Sequence, residues 1–238
     1  PPMVAAQITS AQSTPVQSTP AQTPPAAAPT TTGDRNAAVR ISRELSFEDR
    51  DRNNSQSALM LVQGGRMAEA LQQLLTFLEE NRAAHQSRET LAKLLLAQQA
   101  FAQADTVIDQ GLEQVPNYAP FKKIKARLLM QNGDGPQALA LLRNVPPSVA
   151  ADPEYHELLA TLYQQGNYHV QAIASYQDLL RTDRNQGRWW TGLGISLEAQ
   201  NQLADARASY QQALQSPNLD ANLRRFVQNR IANPGSPQ

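Results

Sequence analysis

Residues 187–220 read GRWWTGLGISLEAQNQLADARASYQQALQSPNLD, a mixture of large and very small side chains. Trp190 and Tyr210 are large, whereas Gly194 and Ala206 are among the smallest residues available. Two helices approach closely only where one of the facing side chains is very small, and large side chains then fill the space around that point. The stretch therefore predicts two short antiparallel helices that pack around Gly194 and Ala206.

The same arrangement recurs along the chain at intervals of 34 residues. Four columns of size-matched residues follow this interval without an insertion. They are Ala70, Ala104, Ala138, Ala172 and Ala206; Ala58, Ala92, Ala126, Ala160 and Gly194; Leu61, Leu95, Leu129, Tyr163 and Leu197; and Leu74, Ile108, Leu142, Tyr176 and Tyr210. A plain helical bundle gives no reason for such a fixed interval, so we infer five stacked helix-turn-helix repeats.

This pattern resembles the tetratricopeptide repeat (TPR), although Leu197 stands where tyrosine is usual. The prediction is an all-α TPR solenoid of about five repeats that occupies residues 47–233. The repeats are expected at about 51–84, 85–118, 119–152, 153–186 and 187–220. Residues 219–232 place apolar side chains on one helical face, which predicts a helix that caps the last repeat, and 234–238 form a tail.

The N-terminal part has a different composition. Residues 1–33 carry no charge and consist mainly of Pro, Thr, Ala, Gln and Ser. Such a segment buries too little apolar surface to offset the entropy lost on ordering. We therefore predict a disordered spacer, with a dispensable tail as the alternative, followed by a charged arm at 34–46.

The composition excludes several classes of function. Among 238 residues, 21 are basic and 21 acidic, and this balance argues against nucleic-acid binding. The absence of cysteine excludes disulfides and thiolate metal sites. No apolar run approaches the roughly 18 residues that span a bilayer. Since the sequence begins at Pro1, we expect a fragment whose only membrane contact is through an N-terminal anchor that it lacks.

No group of residues indicates catalysis or the binding of a cofactor or metal. His85, His156 and His169 lack the spacing of metal ligands. The stretch 49–53 begins like a calcium-binding loop, but Asn54 stands where the loop requires glycine. We therefore predict that the protein is not an enzyme and uses no cofactor.

A TPR solenoid has a concave surface that its first helices line, and we predict a partner-binding groove there. Its candidate residues are Glu89, Lys93, Lys123, Arg127, Glu157, Gln164 and Arg188. The densest charge is the basic run 122–127, which would take an acidic or C-terminal peptide. Within this run, Glu89 and Glu157 would partly neutralise Lys123 and Arg127. A merely solvated face is the alternative. The Lys/Asn/Arg clamp of chaperone-binding TPRs does not appear.

Three C-terminal stretches, GRWWTGLGISLEAQ (187–200), SYQQAL (209–214) and LRRFVQNRI (223–231), resemble the TPR proteins of mannose-sensitive haemagglutinin (MSHA) type IV pilus biogenesis. In that family an inner-membrane helix and a Pro-rich spacer precede periplasmic repeats. The resemblance implies a scaffold at the periplasmic face of the inner membrane that binds pilus assembly components or peptide segments. The alternative is a generic cytoplasmic TPR adaptor or a chaperone-like peptide-binding module.

Overall fold

A computed structural model describes residues 45–233 of the chain. The predicted spacer, most of the charged arm and the C-terminal tail therefore lie outside the described residues. Eleven α-helices and no strands occur within 45–233. They are α1 (Phe47–Gln63), α2 (Met67–Glu80), α3 (His85–Ala97), α4 (Phe101–Gln114), α5 (Ala119–Gln131), α6 (Gly135–Arg143), α7 (Pro153–Gln165), α8 (His169–Thr182), α9 (Gly187–Ala199), α10 (Leu203–Gln215) and α11 (Ala221–Ala232).

The helices repeat with the spacing that the sequence predicts. The odd-numbered helices α3 to α9 each begin 34 residues after the previous one, and so do the even-numbered helices α4 to α10. We call α1, α3, α5, α7 and α9 the first helices, and α2, α4, α6, α8 and α10 the second helices. The predicted all-α solenoid of five helix-turn-helix repeats is confirmed, and α11 is its capping helix.

Small residues permit the close pairing of helices within each repeat. The five alanines of the second-helix column, from Ala70 to Ala206, are at most 2% exposed. At Gly194 the requirement for a small residue is stricter, because an added Cβ would lie 2.5 Å from the Tyr210 ring. A side chain there would collide with the aromatic ring that fills the space between α9 and α10.

Successive repeats stack in a regular way. Each second helix packs on the first helix of the next repeat, and α10 packs on α11. The first helices also contact one another, as in the pairs α1–α3, α5–α7 and α7–α9. Within the described part of the chain, no second helix packs on another to a similar extent. The first helices therefore form the inner side of the stack, and the second helices form its outer side.

The interface between the first two repeats is unusually polar. Asp51 of α1 is buried, and its carboxylate accepts the backbone N–H of Gln86 at 2.9 Å and that of Ser87 at 2.8 Å. Beside it, the hydroxyls of Ser55 and Thr90 lie 2.6 Å apart. Helix α3 has no side-chain cap of its own, so Asp51 caps it from the preceding repeat. The acidic start of α1, which resembles a calcium loop in sequence, thus serves helix capping.

Helix α6 is shorter than the other second helices. It ends at Arg143, ahead of Pro146 and Pro147, which have no backbone N–H to continue a helix. Side chains from α5 and α7 bind the exposed carbonyls instead. The Tyr155 hydroxyl donates to the carbonyl of Leu142 at 2.7 Å, and Nζ of Lys122 donates to that of Asn144. None of the helices in 45–233 has the length and apolar character of a membrane-spanning segment.

Candidate functional site

The predicted groove residues lie on the first helices, and ion pairs join them across repeats. We call this row the inner face and define it by Glu89, Lys93, Lys123, Arg127, Glu154, Glu157, Gln164 and Arg188. The ammonium of Lys123 lies 2.9 Å from Asp152 and 3.0 Å from Glu154 of the next repeat. Arg127 approaches the same Glu154 at 2.5 Å. The inner face therefore joins α5 to α7 through opposite charges.

These ion pairs change the titration of the groups that form them. Burial alone would lower the pKa of Lys123, but its hydrogen bonds to Asp152 and Glu154 outweigh burial and raise it. The pKa of Glu154 is lowered, chiefly by the hydrogen bond from Lys123. Both groups are therefore stabilised in their charged forms at neutral pH.

The remaining predicted groove residues also have partners within the protein. Arg188 of α9 lies 2.9 Å from Glu157 of α7, and Lys93 lies 2.5 Å from Glu89 on its own helix. The amide of Gln164 donates to Ser196 Oγ at 2.7 Å and to the carbonyl of Gly192 at 2.9 Å. The expectation that Glu89 and Glu157 neutralise Lys123 and Arg127 is therefore wrong, because Asp152 and Glu154 do so. The binding role of these residues stays a prediction.

The basic run 122–127 does not form one basic patch. Lys122 is buried and binds the carbonyl of Asn144, and burial lowers its pKa. Lys125 turns to α4, where it lies 2.7 Å from Asp105 and 2.8 Å from Asp109. Only Lys123 and Arg127 reach the inner face. The basic run 122–127 therefore does not present a single basic centre to the predicted groove. The reason is that neighbouring side chains of one helix point in different directions.

A sizeable cavity lies on the outer side of the stack. It has a volume of about 960 Å³ and lies between α8 and α10 over α9. We call it the outer groove. Its apolar lining includes Ile173, Leu180, Trp190, Leu193 and Leu197, and its polar lining is Gln177, Arg181, Arg184, Gln200, Gln202, Asp205, Ser209 and Gln212. No residue of the predicted inner groove contributes to it.

A related cavity of about 540 Å³ lies between α2 and α4 over α3. Its lining residues correspond to those of the outer groove after three repeat intervals, as the pairs Leu78 and Leu180, Arg82 and Arg184, Arg88 and Trp190, and Leu91 and Leu193 show. The two cavities thus share one architecture with different side chains. The 34-residue columns contain this correspondence, but only the structure shows that these positions enclose space.

The described residues offer no metal-binding group of three or more His, Cys, Asp or Glu side chains. Of the three histidines, His156 binds the carbonyl of Pro147 through Nε2 at 2.7 Å. His85 packs beside the ring of Tyr118, with ring centroids 5.5 Å apart. These two side chains therefore have structural contacts in loops and helix interfaces.

Comparison with known proteins agrees with this architecture. Family models described as "Tetratricopeptide repeat" match residues 95–162 and 157–221. No curated protein sequence matches the chain significantly.

Solved structures share the fold at low sequence identity. YrrB, "a TPR protein with an unusual peptide-binding site", is 13% identical with a TM-score of 0.61, covering 74% of this chain and 90% of that chain. MamA from Desulfovibrio magneticus RS-1 is 19% identical with a TM-score of 0.57, covering 75% and 97%. A thermophilic TPR protein of Thermus thermophilus, TTC0263, is 19% identical with a TM-score of 0.51, covering 76% and 99%. The two family models together span more than half of the sequence, so the chain belongs to the tetratricopeptide repeat family.

Proposed function

We propose that this chain is a protein-interaction scaffold for assembly of an MSHA-type type IV pilus at the periplasmic face of the bacterial inner membrane. Membership of the TPR family supports the binding of protein or peptide partners. The described residues contain no cluster that would hold a catalytic metal, and the sequence contains no nucleophile motif. The function is therefore to bind and position a partner.

One observation carries the pilus assignment. The three stretches that resemble the pilus biogenesis family form one packed unit in α9, α10 and α11. Glu198 of the first stretch binds Arg230 of the third at 2.6 Å, and the Tyr210 ring of the second packs edge-on to Phe226. The resemblance thus covers residues that depend on one another, which supports a common origin for the whole C-terminal unit.

The mechanism that we propose is positioning. A repeat domain that is tethered beside the assembly machine raises the effective concentration of a pilus component there, without new chemistry. Affinity for each component then needs to be only moderate, because tethering replaces part of the free energy that binding from solution requires.

Piliation in the native host tests the proposal. We expect deletion of the gene to remove MSHA-type pili from the cell surface, and expression of the full-length parent protein to restore them. Alkaline phosphatase fused behind Gln238 reports the location, because the enzyme is active only outside the cytoplasm. Normal piliation of the deletion strain would contradict the pilus role. An inactive fusion would favour the cytoplasmic adaptor or the chaperone-like peptide-binding module.

A further inference from the structure

We propose that the outer groove between α8 and α10 is the partner-binding site, and that it takes a polypeptide segment with apolar side chains and a carboxylate beside them. The inference rests on the proposed scaffold function, which makes the ligand a protein segment. It places the binding site on the side of the repeat stack opposite to the inner face.

Trp190 gives the groove a fixed apolar anchor. Its Nε1–H donates to the carbonyl of Arg184 at 2.8 Å, so the only polar atom of the ring is used inside the protein. The ring itself remains partly exposed in the groove, above Leu193 and Leu197. A large aromatic side chain whose orientation is set before binding loses little entropy when a partner covers it. Tryptophan is also among the residues that most often dominate binding energy.

The polar lining of the groove suits a polypeptide backbone. Four glutamines line it, and each amide carries both donors and an acceptor. Within 45–233, none of these four amides forms a side-chain hydrogen bond with another residue; they are Gln177, Gln200, Gln202 and Gln212. Backbone N–H and C=O groups of a bound segment would be satisfied there, while its apolar side chains cover the leucines.

The charges of the groove set the orientation of the segment. Arg181 and Arg184 lie at one end, and Asp205 lies on α10 across the groove. Arg181 pairs with Asp178, whereas the side chain of Arg184 has no carboxylate within ion-pair distance among the described residues. A carboxylate of the bound segment would form the ion pair that Arg184 lacks in the described part of the chain. Because the site is exposed, the charge directs the segment more than it stabilises the complex.

The inner face is less suited to this role. Its cations already have carboxylate partners, so an acidic ligand would have to displace Glu89, Glu154 or Glu157. The smaller cavity between α2 and α4 is also less suited, because the buried guanidinium of Arg88 replaces the apolar ring of Trp190, and Glu79 and Glu113 line it. The same groove architecture there provides matched control positions.

The test uses a library of random twelve-residue peptides displayed on phage and selected on the folded protein. We expect enriched peptides to combine apolar residues with Asp or Glu. A synthetic peptide of that consensus should change the fluorescence of the parent protein, because Trp190 lines the groove and the other tryptophan, Trp189, is buried. Binding should weaken at least tenfold in Arg184→Glu and in Ala208→Glu.

The equivalent substitutions Arg82→Glu and Thr106→Glu, three repeat intervals earlier, should leave binding unchanged. All four positions are exposed, so each variant is expected to fold, and helicity checks this. The inference is overturned if no peptide is enriched. It is also overturned if Arg184→Glu and Ala208→Glu bind like the parent, or if only inner-face variants lose binding. The selection needs no pilus component, so its failure is distinguishable from failure of the pilus assignment.

Discussion

The ammonium of Lys123 in α5 lies 2.9 Å from the carboxylate of Asp152, which itself caps α7 by accepting the backbone N–H of Tyr155 at 3.0 Å. One carboxylate therefore starts a helix and joins it to the preceding repeat. Lys123 is only 14% exposed, so this pair is shielded from solvent more than the other inner-face pairs. The contact stabilises the stacking of the third and fourth repeats.

We predict that Lys123→Glu destabilises the protein, because it places a third carboxylate beside Asp152 and Glu154. We expect a loss of about 2 kcal/mol in the free energy of unfolding, measured by urea titration. The double variant Lys123→Glu/Glu154→Lys should recover part of this loss. Lys93→Glu is the control, because its pair with Glu89 is exposed and should contribute less than about 1 kcal/mol. Equal losses in Lys93→Glu and Lys123→Glu would contradict the prediction.

Gly194→Ala should destabilise the last repeat, although alanine is normally the better helix former by about 1 kcal/mol. The added methyl group would lie 2.5 Å from the ring of Tyr210, whose hydroxyl binds Glu198 at 2.8 Å and limits its movement. We expect a loss of about 1–3 kcal/mol in thermal or urea unfolding.

Gly135→Ala provides the control for that substitution. No heavy atom lies within 4 Å of the Cβ position there, so we expect no loss and a gain of up to about 1 kcal/mol. A stability of Gly194→Ala equal to that of the parent would mean that α9 and α10 do not pair as closely as described.

Asp51→Ala should lower stability by about 2 kcal/mol, because it removes the cap of α3 and leaves two N–H groups unsatisfied at a buried position. Asp51→Asn should lose less stability than Asp51→Ala, since its amide oxygen still accepts one of these hydrogen bonds. Asp205→Ala is the control, because this exposed aspartate lies in the first turn of α10 and should change stability by about 0.5 kcal/mol or less. The measurement is the urea midpoint, and similar shifts in Asp51→Ala and Asp205→Ala would exclude the capping role.

Stability should fall in alkaline solution, partly through Tyr155. Burial, reinforced by the negative charge of Asp152, raises the pKa of this phenol to about 12, whereas an unfolded tyrosine titrates near pH 10. Between these values the unfolded state loses the proton and the folded state keeps it. The contribution to stability is therefore complete below about pH 10 and is lost as the pH rises toward 12.

Tyr155→Phe tests this assignment. At neutral pH it should cost about 1 kcal/mol, through loss of the hydrogen bond to the carbonyl of Leu142. Between about pH 10 and 12, the free energy of unfolding should fall with pH less steeply in the variant than in the parent. The two slopes should differ by up to about 1.4 kcal/mol per pH unit. Parallel pH profiles for the two proteins would show that Tyr155 is not responsible.

Helix pairing within a repeat could be predicted from the sequence because it depends on residues close in the chain. Ala172 and Tyr176 identify one helix face, and the interval of 34 residues repeats that face at Ala206 and Tyr210. The structure places the helices at this interval because each repeat packs chiefly on its immediate neighbours. The polar character of the interface between the first two repeats could not be predicted in this way, since the cap that Asp51 provides acts on a helix of the next repeat.

The amino-acid sequence by itself determined the all-α repeat architecture, because the sizes of side chains fix which faces of neighbouring helices can meet. Only the tertiary structure decided which partners the charged side chains bind and where the cavities lie. Lys122, Lys123 and Lys125 are close in sequence, yet the helical rotation of about 100° per residue directs them to the loop at Asn144, to α7 and to α4. The outer groove likewise depends on the tertiary structure. Helices α8 and α10 both pack on other helices and leave the space above Trp190 open. No local sequence pattern encodes the distance between these two helices.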